Sequence, residues 1–355
     1  MKDINKKSRL QFIKPFVYAR PSISSVLIRF LLLLSVQIIM LLITKSYAAF
    51  AVVVSAVLGS ACAASISYLT THEPPFHAMS IIIQGIFIGL LLPENYPLVI
   101  VFFISFIALF ISISVAFKSI NSWINVCAVA VIIAWFIGKQ YFPGFTITSD
   151  LIPLRNSSVY LIQNGNFPIY EFDGTITNFL NSTVFGWFKV SIPEGFISLL
   201  WDTHSVIPAF RFNLITIISS IFIFSDNAFS GIIPTLFLVI YGLLVRLFAP
   251  MMFGGFFNKG DIILAMLTSG TLFSAVFLIQ WYGTVPSTIS GKILLGIFSG
   301  ITAFLVTGCG TSPIGMVYTV LITNFISIFI KAIEERKNQI TTAKVVVKLA
   351  AKGDK

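Results

Sequence analysis

Charge is what this chain has least of. Only 10% of its 355 residues are charged while 57% are hydrophobic, whereas soluble domains carry about 25% charged residues. That scarcity excludes an ordinary soluble domain, because no soluble core hides so much apolar surface. Cysteine is nearly as rare. Cys62, Cys127 and Cys309 all lie within or at the end of apolar stretches, and no CxxC occurs, which argues against a disulfide framework and a cysteine-ligated cluster. Of the three histidines, His72 and His77 are five apart around Pro74 and Pro75, not four apart on one helix as a two-histidine metal site would want. A phosphate-cradling glycine loop with its lysine is missing, as is GxSxG, and Gly254-Gly255 reads as a turn. No Asp or Glu sits in the middle of any apolar run, so no carboxylate relay of the kind proton pumps use is visible.

What fills the chain instead is ten apolar runs, near 25–44, 47–70, 77–93, 97–117, 122–138, 205–224, 228–248, 261–280, 290–308 and 313–331. A helix needs roughly 20 apolar residues to cross about 30 Å of hydrocarbon. The runs are continuously apolar and do not alternate, so they predict helices and not barrel strands. The third and fifth are short and contain glycine, which predicts tilt or a break. The expected fold is an all-α integral membrane protein of about ten transmembrane helices.

Five runs precede a polar stretch and five follow it, which suggests two five-helix repeats. An odd number of crossings per repeat would make them inverted. The organisation that follows is a basic tail at 1–24, a first membrane half at 25–138, a loop at 139–204, a second half at 205–331 and a basic tail at 332–355. Thirteen of the 23 Lys and Arg residues lie in the two tails once Lys331, at the edge of the second, is counted with it. Both ends are therefore expected in the cytoplasm and the loop outside, and attraction to anionic lipid accounts for the net charge of +10 better than nucleic acid does. Arg29 and Arg246, near span ends, are expected to snorkel. Gln37, Gln84, Asn125, Asn213 and Asn324 are uncharged polar residues in or beside the runs, suited to helix-to-helix hydrogen bonds or to a solute contact. The loop segment "NGNFPIYEFDGTITNFLNSTVFGWF" gathers hydroxyls, amides and two carboxylates beside aromatics, and reads either as a polar ligand site or as a solvated linker.

Several segments resemble the RnfD/NqrB family, which comprises a membrane component of the Rnf electron-transport complexes and its counterpart in the sodium-pumping NADH:quinone reductase. The resemblance runs from "KPFVYARPSISSVLIRF" to "ITNFISIFIKAIEERKN". "HAMSIIIQGIFIGLLLPENYP" is similar to a family span of the type "SAxVTGLLLALxLPPxxP". "INSWINVCAV" keeps Asn125 of "GQNPFNPAM" but has Ser122 at its first Asn. "VPSTISGK" keeps Pro286, Thr288, Gly291 and Lys292 of "TDPVTxPxTxxGK", with Trp281 and Tyr282 where the Asp and Pro would stand. "SPIGMVYTVLITN" keeps Pro313, Gly315, Met316 and Asn324 of "PEGMxxAILxxN", with Ile314 replacing the Glu.

The resemblance implies a ten-span subunit of an ion-translocating electron-transport complex in the inner (cytoplasmic) membrane, dependent on other membrane and peripheral subunits. It also implies FMN esterified to a Thr in an outside "DGxSGATPL" loop. The matching "FDGTITNFLNS" keeps Asp173 and Gly174 but puts Phe179 at the acceptor position. Thr177 is then the nearest replacement in sequence, with Thr175 and Thr183 as further candidates and Asn125 as an additional cofactor contact. The competing expectation is a small-solute transporter or channel, for a urea-like solute or a flavin, on the same bundle without redox chemistry.

Overall fold

The computed structural model describes residues 22–71, 75–113, 124–143, 169–188, 191–192, 194–225, 229–252, 256–258, 260–281, 283–308 and 314–353. The N-terminal tail through position 21, the loop centre at 144–168, Gly254-Gly255, and Ser122, Tyr282, Cys309 and Pro313 lie outside the described residues. Helices dominate the rest, and no strand occurs among the described residues.

The first half holds α1 Ile23–Ile43, α2 Tyr47–Thr71, α3 Pro75–Leu91, α4 Leu98–Ile111 and α5 Val126–Ile137. Two short helices follow in the loop, α6 Glu171–Thr183 and α7 Phe196–Trp201. The second half holds α8 Asn213–Phe224, α9 Ile232–Met252, α10 Ile262–Thr268, α11 Thr271–Phe273, α12 Ile289–Ala303 and α13 Gly315–Gly353. Among the described residues, five segments are long and apolar enough to cross a membrane: Ile23–Ile43, Tyr47–Leu69, Ile232–Met251, Ile289–Thr307 and Gly315–Ala343. Shorter apolar helices cover Ala78–Leu91, Leu98–Ile111, Val126–Ile137 and Asn213–Phe224. Leu32, Val36, Ile39 and Ile43 are exposed along α1, as a face turned toward lipid requires.

The run at 261–280, expected as one span, is broken. Gly270 takes φ +69° between α10 and α11, a conformation glycine adopts without penalty, and its backbone lies against the Phe210 ring. Beyond it α11 widens into a π-helical turn at Ser274–Leu278. A second π turn, Phe304–Gly308, ends α12. The C-terminal tail is no separate element, because α13 continues through it as one helix of 39 residues.

The two halves share one packing feature. In each, the second and fourth helices form a principal contact, α2 with α4 and α9 with α12. Small residues permit both. Gly59 of α2 meets the Phe102 carbonyl of α4, while a side chain at Gly296 or Gly300 of α12 would meet Leu236 or Ile240 of α9 at 2.8 Å. Without a hydrophobic drive inside lipid, such close backbone approach supplies the packing energy. Ser105 adds an interhelical bond, donating to the Ala56 carbonyl at 2.8 Å.

Corresponding helices touch across the two halves. Gln37, near the end of α1, donates to Thr216 near the start of α8 at 3.0 Å, and Trp135 at the end of α5 lies edge-on to Tyr318 at the start of α13, 6.4 Å between ring centres. First meets first and fifth meets fifth. Phe30, Phe87, Phe277 and Trp281 fill the core where the halves meet, with Trp281 edge-on to Phe87 at 5.5 Å and to Phe30 at 6.0 Å. The position at which the resemblance predicts an Asp is therefore an indole packed among phenylalanines.

Candidate functional site

Five of the six predicted site residues lie on α6. Its first turn carries Glu171 and Asp173, favourable placements for carboxylates at a helix N-terminus. Asp173 is fully buried and accepts from four donors: the Gly195 N–H at 2.9 Å, the Ser198 N–H and hydroxyl at 2.6 Å each, and the Thr177 hydroxyl at 2.9 Å. Gly195 reaches this position at φ +107°. Burial pushes the Asp173 carboxyl up, but the Gly195 N–H, the Ser198 hydroxyl and N–H, and the Thr177 hydroxyl together hold it below the usual carboxylate range. Farther along α6, the Asn181 amide exchanges a pair of 2.9 Å bonds with the backbone of Ile192. Both ends of α6 are thus clamped to the segment that leads into α7.

A second buried pair fixes this segment to the bundle. Arg211 makes two bonds to Asp202, at 3.0 and 2.6 Å, and also donates to Ser46 between α1 and α2. Glu94, between α3 and α4, donates its N–H to the Val206 carbonyl at 2.9 Å. Turns from three parts of the chain are therefore tied together just after α7.

Thr177 is 2% exposed, and its hydroxyl is committed to Asp173. A phosphoester at that oxygen requires this bond to break and removes one donor from the buried Asp173 carboxylate. Phe179, at the family's acceptor position, is 63% exposed. At 100° per residue, positions two apart project from nearly opposite sides of a helix, and positions four apart share a side. The hydroxyls flanking Phe179 in space are thus those of Thr175 and Thr183, both exposed. Thr183 donates back to the Phe179 carbonyl at 2.6 Å. A side chain on Gly174 would meet the Glu194 carboxylate at 3.3 Å, so the space beside this glycine holds negative charge. Asn125 stands apart from α6: it caps α5 by accepting the Cys127 N–H at 3.0 Å and donates to the Leu278 carbonyl at 3.3 Å. Gln37 and Asn213 likewise serve interhelical bonds, Asn213 to the carbonyls of Leu199 and Leu267.

Ser198, Gly195 and Arg211 were not among the expected site residues. The sequence carries one signal for their arrangement: Asp173 and Thr177 are four apart, the spacing of helical neighbours, a relation lost when the stretch is read as loop. No group of three or more His, Cys, Asp or Glu side chains able to hold a metal occurs among the described residues.

The remaining segments of the resemblance have structural work. Thr288 caps α12, accepting the Gly291 N–H at 3.0 Å. Glu334 of α13 takes the Ser287 N–H at 3.0 Å, its hydroxyl at 2.9 Å and the Thr288 N–H at 3.2 Å, and is also bonded by the Thr288 hydroxyl. Gly291 leaves room for that carboxylate, beside Pro286. Farther on, Gly315 packs against Thr307, and Ile314 and Met316 are buried. No curated protein matches the chain. The NQR2, RnfD, RnfE family matches residues 12–339, and a match embracing both helical halves and the clamped loop between them places this chain in that family.

Proposed function

We propose that the chain works as a non-autonomous membrane subunit of an ion-translocating electron-transport complex of the Rnf/Nqr type. The family match along 12–339 carries this reading, since it takes in the whole bundle and not one motif. Partners are part of it: the sequence has neither a nicotinamide fingerprint nor a cysteine cluster, so electron donors and iron–sulfur centres belong to other subunits. FMN esterified to a threonine of α6 would supply one- and two-electron chemistry at the outer face. Thr175 suits that attachment and Thr177 does not, because Thr175 is exposed beside the family's acceptor position and its modification leaves every contact of Asp173 in place. The chain's own part is to hold α6 rigid through Asp173 and Asn181 while presenting the Thr175 hydroxyl.

Purification of the full chain from its native membranes tests the reading. Co-purification of redox subunits in fixed stoichiometry is expected. A chain that purifies alone, and whose deletion leaves electron-linked ion uptake by those membranes unchanged, overturns it.

A further inference from the structure

A cavity of about 300 Å³ lies between the clamped loop and the membrane helices, lined by Thr177, Leu180 and Asn181 of α6, by Phe196 and Leu200 of α7, and by the outer ends of α8 and α10. Its volume is at the lower end of what small-molecule sites use. Its chemistry is one-sided. Thr177 and Asn181 are the polar residues of the lining, and both are spent, on Asp173 and on the backbone of Ile192. A flavin ring, a sugar or a quinone head needs hydrogen-bond partners when buried, and none is offered. An unbranched hydrocarbon chain needs none.

The position of the cavity names the source of such a chain. Ile217 in the second turn of α8 and Ile263 in the first turn of α10 line it and are themselves exposed, so it opens on the face that these helices turn to lipid. We infer that this cavity, reached from the lipid face, binds one acyl chain of a membrane phospholipid.

Photolabelling tests this. The full chain is reconstituted in liposomes of phosphatidylethanolamine and phosphatidylglycerol containing a phospholipid with a diazirine on one acyl chain, illuminated, and mapped by peptide mass. Adducts are expected on 177–200 and 263–272, in addition to those on the lipid-facing side of α1 at Leu32 and Ile39. Leu200→Trp and, independently, Met266→Phe fill the cavity and should lower the first set several-fold while leaving the α1 adducts unchanged, which also shows that each variant is inserted and folded. Labelling of 177–200 and 263–272 no stronger than background, or labelling insensitive to both variants, overturns the proposal and leaves the cavity to another protein segment.

Discussion

The Thr177 hydroxyl donates to Asp173 at 2.9 Å with both side chains closed to solvent, so the threonine nearest in number to the family's flavin acceptor is part of a carboxylate's solvation shell.

Thr177→Val should therefore act on stability. Losing one donor to a buried carboxylate costs about 1.5–3 kcal/mol, visible as a lower unfolding midpoint in detergent, with any covalent flavin retained. Thr175→Val should leave the midpoint unchanged and abolish in-gel flavin fluorescence. Fluorescence lost in the Thr177 variant and kept in the Thr175 variant would reverse the assignment.

Docking of α6 should depend on acid. Because Asp173 binds its proton less readily when folded, its contribution is complete above the unfolded value of about 3.9 and disappears as pH falls through the lower folded value. Hydrogen exchange across 171–198 should stay slow at neutral pH and quicken below about pH 4. Asp173→Asn cannot accept all four bonds, so this segment should exchange quickly even at neutral pH, and the Asp173-linked acid step should vanish.

Glu334 and Gly291 should behave as one unit. Gly291→Ala displaces a carboxylate held by Ser287 and Thr288, and Glu334→Ala leaves those backbone donors bare; each should cost about 2 kcal/mol. The double variant should cost clearly less than the sum, as contacting residues do. Strict additivity in a thermal-unfolding cycle would disprove the coupling.

Trp281 should be the costliest of the aromatic core to truncate. Trp281→Ala empties a site shared with Phe30 and Phe87 and should cost about 3–5 kcal/mol. Restoring the acid by Trp281→Asp should lower the unfolding midpoint further, because it sets a carboxylate among phenylalanine rings.

The helical membrane class was legible because lipid demands long apolar stretches, and the five long candidate spans each begin in or beside one of the runs. What escaped was local geometry set by distant partners. The break at Gly270 has a signal in Ser269-Gly270, but the Phe210 ring that holds it comes from another part of the chain. The loop presented a sharper problem. Read as irregular chain, its best acceptor is the threonine closest in number; wound into α6, it is the one closest in angle. Glu334 looked like one charge in a basic tail, and only the return of α13 to the start of α12 gives it a partner.

The bond from Arg211 to Ser46 also acts as a parity check on membrane insertion. Two residues meet on one side of a bilayer only if the chain between them crosses an even number of times, and the ten-run expectation gives α2 to α5 four crossings. The weakest of these is α5, whose 12 residues reach about 18 Å where the hydrocarbon is about 30 Å thick. Should α5 fail to cross, Arg211 and Asp202 emerge on the opposite side from Ser46, the second half inserts upside down, and the bond from Gln37 to Thr216 has no way to form. A contact at the membrane surface thus reports whether the shortest of those four crossings was made.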